Sequence, residues 1–127
     1  MEYPTDRKYS QEHEWVVVSG DTARIGITDY AQDSLGDIVF VQVPDVGLEV
    51  VANASCAEVE STKSVSEIYS PVSGVIASVN ESLNDEPERL NRDPYGDGWI
   101  FTITMADPGE LDVLLDAAAY QEMVEAG

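Results

Sequence analysis

Apolar positions in this chain fall in short runs, each closed by Gly, Pro, Asn or Asp, the signature of many short strands rather than long helices. Tyr9 to Trp15 leads into the first run. Trp15-Val16-Val17-Val18, then Ser19-Gly20-Asp21, then Thr22 to Ile27 reads as a hairpin with a Gly-centred turn. Thr28-Asp29 begins a short helix, with Asp29 and Gln32 as an acidic capping box and Gly36 free to take a left-handed cap. The densest β-branched run is Asp37 to Val43, which Pro44 ends because proline cannot extend a ladder. After the turn at Asp45-Val46-Gly47, Leu48 to Val51 reads as a short strand. Ala57-Glu58-Val59-Glu60 and Ser64 to Tyr69 mix small, β-branched and polar residues as half-exposed strands do, and the residues between them predict a second hairpin. Pro71 to Gly74 is a turn before the strand Val75–Val79. Residues 80–98 are polar and loop-like, too long to hang free in a small domain, and are expected to pack onto the fold. Trp99 to Met105 is the last strand. Asp107-Pro108-Gly109-Glu110 starts a helix that puts Leu111, Leu114 and Leu115 on one face. A second helix over Ala117–Glu125 aligns Tyr120, Met123 and Val124. These apolar stripes are core, and the sum is a compact β-barrel or sandwich with a few helices packed outside.

Composition narrows what such a fold could do. At 127 residues and 43% apolar the chain is one domain with a real core. It has no apolar run of membrane-spanning length and no basic-then-apolar leader, so the expectation is a cytoplasmic protein with no membrane partner. A single cysteine, Cys56, excludes an internal disulfide, and one cysteine with one histidine, His13, makes a Cys/His metal site untenable. Cys56 lies in a small-residue run and reads as a buried structural residue rather than a nucleophile. Twenty-five acidic against six basic residues give a formal charge of −19, which leaves no basic patch for nucleic acid. Such a surface either steers the protein toward basic partners or reflects adaptation to concentrated salt, where the Debye length falls to ~3 Å and self-repulsion fades. The scarcity of lysine favours salt adaptation. The melting temperature is then expected to rise between dilute buffer and ~1 M KCl; a flat or falling melting point removes that reading.

Only two lysines occur, Lys8 and Lys63. Lys8 sits in a polar N-terminal segment. Lys63 falls at or beside the tip of the second hairpin, in Glu60-Ser61-Thr62-Lys63-Ser64, where the Ser61 and Thr62 hydroxyls favour a turn. There is no Asn-Gly or Asp-Gly to signal a two-residue turn. A lysine there is either an ordinary solvated charge or an acceptor that an enzyme acylates, since acylation needs an exposed amine on a protruding, rigid turn. The pattern alone leaves both open.

Several separated stretches coincide with one family, and the chain resembles the glycine cleavage system H proteins. The matches are His13-Glu14-Trp15, Ile25 to Gln32, Leu35 to Val41, Pro44-Asp45-Val46-Gly47, Val59-Glu60-Ser61-Thr62-Lys63-Ser64, Ser70 to Gly74, Val79-Asn80, Asn91, Asp93-Pro94-Tyr95-Gly96 and Gly98-Trp99. They run in the family's order and span nearly the whole chain. The resemblance implies a mainly β fold, the lipoyl/biotinyl-type barrel-sandwich hybrid, with short peripheral helices and a C-terminal helical tail. It implies a single lipoyl-carrier domain over residues 1–127, with two halves related by a pseudo-twofold. It also implies lipoate, amide-linked to Lys63, with Glu60, Ser61, Thr62 and Ser64 as the attachment turn. The chain departs from the family in having Thr62 where Val is usual and Ser64 where Ala is usual, both small changes at a strand edge. Asn53 stands near a position where relatives tend to have glycine, and Asn tolerates positive φ. Glu12 stands where relatives often have Ser, and no role is carried over to it.

The resemblance further implies a carrier rather than an enzyme. In the family a pyridoxal-phosphate glycine decarboxylase passes aminomethyl to a lipoyl sulfur. An aminomethyltransferase then moves the carbon to tetrahydrofolate, and dihydrolipoyl dehydrogenase reoxidises the dithiol with NAD as final acceptor. A lipoate ligase or an octanoyltransferase would install the arm, and the carrier would work as a monomer. The aminomethyl adduct is a labile cation that a cleft with acidic walls would protect. Glu14 and Glu67 are the candidate walls, the alternative for each being a solvated surface carboxylate. His13 lies beside Glu14 in sequence and reads as a packed or capping residue.

Rival readings are weaker. A biotinyl lysine is flanked by methionines, and Lys63 is not. A lipoyl domain of a 2-oxoacid dehydrogenase, another multienzyme complex or a lipoate relay would keep the fold and change the partners. A Schiff-base enzyme needs a desolvated lysine, which a turn among Glu60, Ser61 and Ser64 does not offer. An acidic binding module with no modification is the last.

Overall fold

In the computed structural model, which describes residues 1–127, nine strands form two antiparallel sheets. The strands are β1 (Lys8–Tyr9), β2 (Glu14–Ser19), β3 (Thr22–Ile27), β4 (Ile38–Gln42), β5 (Glu49–Val50), β6 (Ser55–Ser61), β7 (Val65–Tyr69), β8 (Gly74–Val79) and β9 (Phe101–Met105). The helices are α1 (Asp29–Leu35), α2 (Arg89–Arg92) and α3 (Ala117–Ala126), with 3-10 turns over Glu81–Asn84 and Pro108–Val113. The larger sheet runs β1-β2-β3-β9-β8-β5 and the smaller one β4-β6-β7.

The core lies between the two sheets. Val16, Ile25 and Ile27 from one side meet Val41, Val59 and Ile68 from the other, closed by Ile76, Phe101 and Ile103. A smaller cluster forms where α3 docks: Tyr9, Trp15, Ala117 and Tyr120, with Tyr9 and Tyr120 stacked at 4.6 Å. Trp15 is pinned there. Its indole N–H donates to the Pro94 carbonyl at 2.9 Å, and its ring lies over Gly26, where a Cβ would come within 2.6 Å of it.

The expected mainly β architecture with peripheral helices and a helical tail is what the residues build, with local corrections. The cap of α1 is Thr28, whose hydroxyl accepts from Ala31 N–H at 3.2 Å. Asp29 is already inside the helix and instead accepts from the Gln32 amide at 2.8 Å. Gly36 takes positive φ, +81°, but its ψ of −154° lies outside the left-handed helical cap expected there, and its N–H donates to the Gln32 carbonyl. Asn53 also takes positive φ, +71°. Residues 80–98 pack down as expected, but through helical turns that place Leu83 and Leu90 in the core. The helix expected after Asp107 stops as a 3-10 turn. Asp107 caps Gly109 N–H, and the chain then turns extended at Leu114. Leu115 is recruited into a bridge with Tyr9, two backbone bonds of 2.8 Å each. Leu111 and Leu114 therefore pack on the main core and Leu115 on the smaller one, so the three do not share a face.

Candidate functional site

The β6–β7 hairpin carries Lys63 at its tip, and the turn is held by backbone and by one hydroxyl. Ser61 N–H donates to the Ser64 carbonyl at 2.8 Å. The Ser61 hydroxyl oxygen accepts from both Lys63 N–H (3.2 Å) and Ser64 N–H (3.1 Å), so Ser61 closes the turn that no Asn-Gly was available to form. Thr62 contributes its backbone, donating N–H to the Asp37 carbonyl at 3.1 Å and tying the tip to the start of β4. Thr62, Lys63 and Ser64 are exposed, as is Glu60 one residue inside.

The stem of Lys63 lies along Gly36, where a Cβ would sit 3.0 Å from its Cε, so the glycine leaves room for the side chain as well as supplying positive φ. Asn91 holds that corner in place. Its Oδ1 accepts from Ile38 N–H at 2.9 Å, and its amide donates to the Gly36 carbonyl at 2.8 Å and to Gln32 Oε1 at 3.0 Å. Gly36, Asp37 and Asn91 come from three separate segments. No spacing in the sequence announced their convergence under Lys63. Asn91→Ala orphans a partly buried N–H and a carbonyl at once. The expected cost is about 2 kcal/mol, read as a lowered urea midpoint at unchanged m-value.

Glu14 and Glu67 are placed differently from one another. Glu14 is only 1% exposed, so the solvated-carboxylate alternative does not describe it. Its Oε1 accepts from the Ser10 hydroxyl at 2.7 Å and its Oε2 from Tyr69 N–H at 3.1 Å. Burial pushes its pKa up to about 7 against the pull of those two bonds. Glu67 is exposed and accepts from the Tyr69 hydroxyl at 3.2 Å. Both carboxylates thus engage Tyr69, one through its backbone and one through its side chain. Ser10 and Tyr69 carried no sequence signal for this role.

Cys56 sits at a bulge in β6 near Glu14, and burial together with that carboxylate pushes its thiol up to about 12, the opposite of what a nucleophile needs. His13 adopts φ +70°, packs on Tyr30 and places Nδ1 2.8 Å from the Tyr120 hydroxyl, a packed residue. Lys63 is exposed at the hairpin tip, not the desolvated setting in which a Schiff-base lysine works. No helix is long and apolar enough to cross a membrane.

A two-sheet barrel-sandwich hybrid that presents one lysine on a braced hairpin tip defines the class of swinging-arm carrier domains. The family model described as Glycine cleavage H-protein matches residues 7–127. A glycine cleavage system H protein of Geobacillus sp. (strain WCH70) is 53% identical over 127 residues, covering 100% of both chains. A probable glycine cleavage system H protein of Haloarcula marismortui is 52% identical over 125 residues, 98% of each. Among solved structures, a glycine cleavage system H protein from Mycobacterium marinum superimposes with a TM-score of 0.89 at 42% identity, covering 96% of this chain and 98% of the other. The chain belongs to the glycine cleavage H-protein family.

Proposed function

We propose that this chain is the lipoyl carrier of a glycine cleavage system, a non-catalytic domain over residues 1–127 that carries lipoate on Lys63. The observation that supports it most is the hairpin tip: an exposed lysine on a turn fixed by Ser61 and by the Thr62–Asp37 bond, with its stem laid along Gly36. A carrier needs its root rigid and its arm free, because the chemistry belongs to the partners and their cofactors. The lipoyl group, when attached, supplies a disulfide that accepts a carbon unit and two electrons. The residues of this chain hold its root, Glu67 offers negative charge for its loaded end, and Glu14 adds a buried charge behind it above about pH 7.

The partners in this reading are a pyridoxal-phosphate glycine decarboxylase, an aminomethyltransferase and dihydrolipoyl dehydrogenase, with a lipoate ligase or octanoyltransferase as installer. The chain would serve them as a cytoplasmic monomer. Intact mass of the protein from its native host, with peptide mapping, tests the reading. One lipoyl or octanoyl addition on Lys63 supports it, and a biotinyl addition or none overturns it.

The carboxylates proposed to face the arm's loaded end meet at Tyr69 on β7. There Glu67 is exposed, and Glu14 sits behind the Tyr69 backbone. Glu14→Ala and Glu67→Ala are each expected to release the aminomethyl adduct several-fold faster, with lipoylation unaffected. Unchanged adduct lifetimes in both variants would remove the acidic-wall role.

A further inference from the structure

The outer face of the small sheet has an order that the carrier reading does not use. Phe40, Glu60 and Val65 are in register across β4, β6 and β7, so their side chains share one face in a single row. The next row is Gln42, Glu58 and Glu67. A bulge in β4 between Ile38 and Phe40 puts two consecutive residues outside, and Val39 and Phe40 are 53% and 47% exposed. Val65 is 58% exposed. A bulky aromatic and two valines thus stand in water beside the root of the arm, Val39 and Phe40 on the edge strand β4 and Val65 on the opposite edge strand β7.

We infer that Val39, Phe40 and Val65 form the docking ledge for the enzyme that acylates Lys63. This inference rests on the carrier reading. The argument for that occupant is reach. The unmodified lysine lies against Gly36, with Nζ 3.6 Å from where a Cβ would stand, so the amine is kept close to the protein surface. An acylating enzyme must bring its donor carbonyl to bonding distance of that amine and therefore must touch the hairpin beside it. Enzymes that act on the far end of a finished arm are spared that approach. Charge fixes the rest of the partner's chemistry: Glu60 lies between Phe40 and Val65, Glu58 and Glu67 stand in the next row, and Asp37 lies at the root of β4. The surface that fits is an apolar recess for Phe40 with Lys or Arg on its rim. In the step served, the Lys63 ammonium loses two protons, one to solvent and one to the departing group. A new N–C amide bond forms as the donor's bond between carbonyl carbon and leaving group breaks.

The test uses the full chain, unmodified, with a lipoate–protein ligase that modifies the wild type, octanoate and ATP, read by intact mass. The double variant Phe40→Ser, Val65→Ser is expected to lose at least tenfold in kcat/KM, through KM, with kcat held within twofold. Phe40→Leu is expected to recover most of the loss. Once driven to full lipoylation and reduced, the double variant is expected to be reoxidised by dihydrolipoyl dehydrogenase within twofold of wild type, with an unchanged melting point. Acylation of the double variant at the wild-type rate overturns the ledge, as does a parallel fall in acylation and reoxidation. Failure of the wild type itself to accept octanoate on Lys63 with several such ligases overturns the carrier reading, and the ledge with it.

Discussion

Lys63→Arg is expected to remove all covalent modification and all glycine-dependent NADH formation in a reconstituted system, while leaving the fold as it is. Arginine keeps the charge and the long stem. Its guanidinium does not deprotonate in proteins and cannot take the acyl group. The turn beneath it rests on the Ser61 hydroxyl and on backbone bonds, none of which involves the lysine side chain. The stability change should stay within about 0.5 kcal/mol, the range of ordinary surface substitutions. Lys8 is the built-in control. It is the only other lysine, it lies in β1 opposite Val16, and it should carry no modification in either protein. Modification that moves to Lys8, or full activity without any, would mean that the hairpin lysine is not the attachment point.

Glu14→Gln is expected to change how stability responds to pH. The folded protein holds the Glu14 proton up to about pH 7, whereas the ordinary value is 4.5. Between those values the native state keeps a proton that the unfolded chain has released. The contribution is therefore fully present below the unfolded value and is lost as pH rises through the folded one. At 1.36 kcal/mol per unit the loss is on the order of 3 kcal/mol. Glutamine does not titrate and can still meet both neighbours, its carbonyl accepting from Tyr69 N–H and its amide donating to Ser10 Oγ. Urea denaturation at pH 5 and pH 8 should show the gap between variant and wild type opening in the variant's favour on going to higher pH. A gap that does not change with pH would mean that Glu14 stays in one charge state throughout.

Much of this could be read from residue order, for local reasons. The hairpin under Lys63 was legible because its two arms mix small, β-branched and polar residues and its turn residues carry hydroxyls. Positive φ at Gly36 and Asn53 was legible because few residue types tolerate it. What escaped was long-range. β1 was invisible because Lys8 and Tyr9 form a strand only by pairing with Val16 and Trp15. Leu115 looked helical by spacing, yet the bridge to Tyr9 outweighed a 3.6-residue period. The turns holding Leu83 and Leu90 were hidden in a polar stretch with no helical periodicity. Within the site, Lys63 and its turn were apparent, but the burial of Glu14 was not. A carboxylate in a strand looks solvated until Ser10 and the Tyr69 backbone are seen to close over it.

The bracing of the hairpin tip also decides where disorder is stored. Because Ser61, Asp37 and Asn91 fix the turn and the corner beneath it, the freedom of the arm proposed for Lys63 would reside in rotatable bonds beyond the Lys63 backbone. A partner that captures the arm then orders one side chain and its extension and no loop, at a cost of about 0.5–1.5 kcal/mol for the side chain itself. In the proposed carrier function, several enzymes would take the same arm in turn and let it go again, since none must first freeze its root.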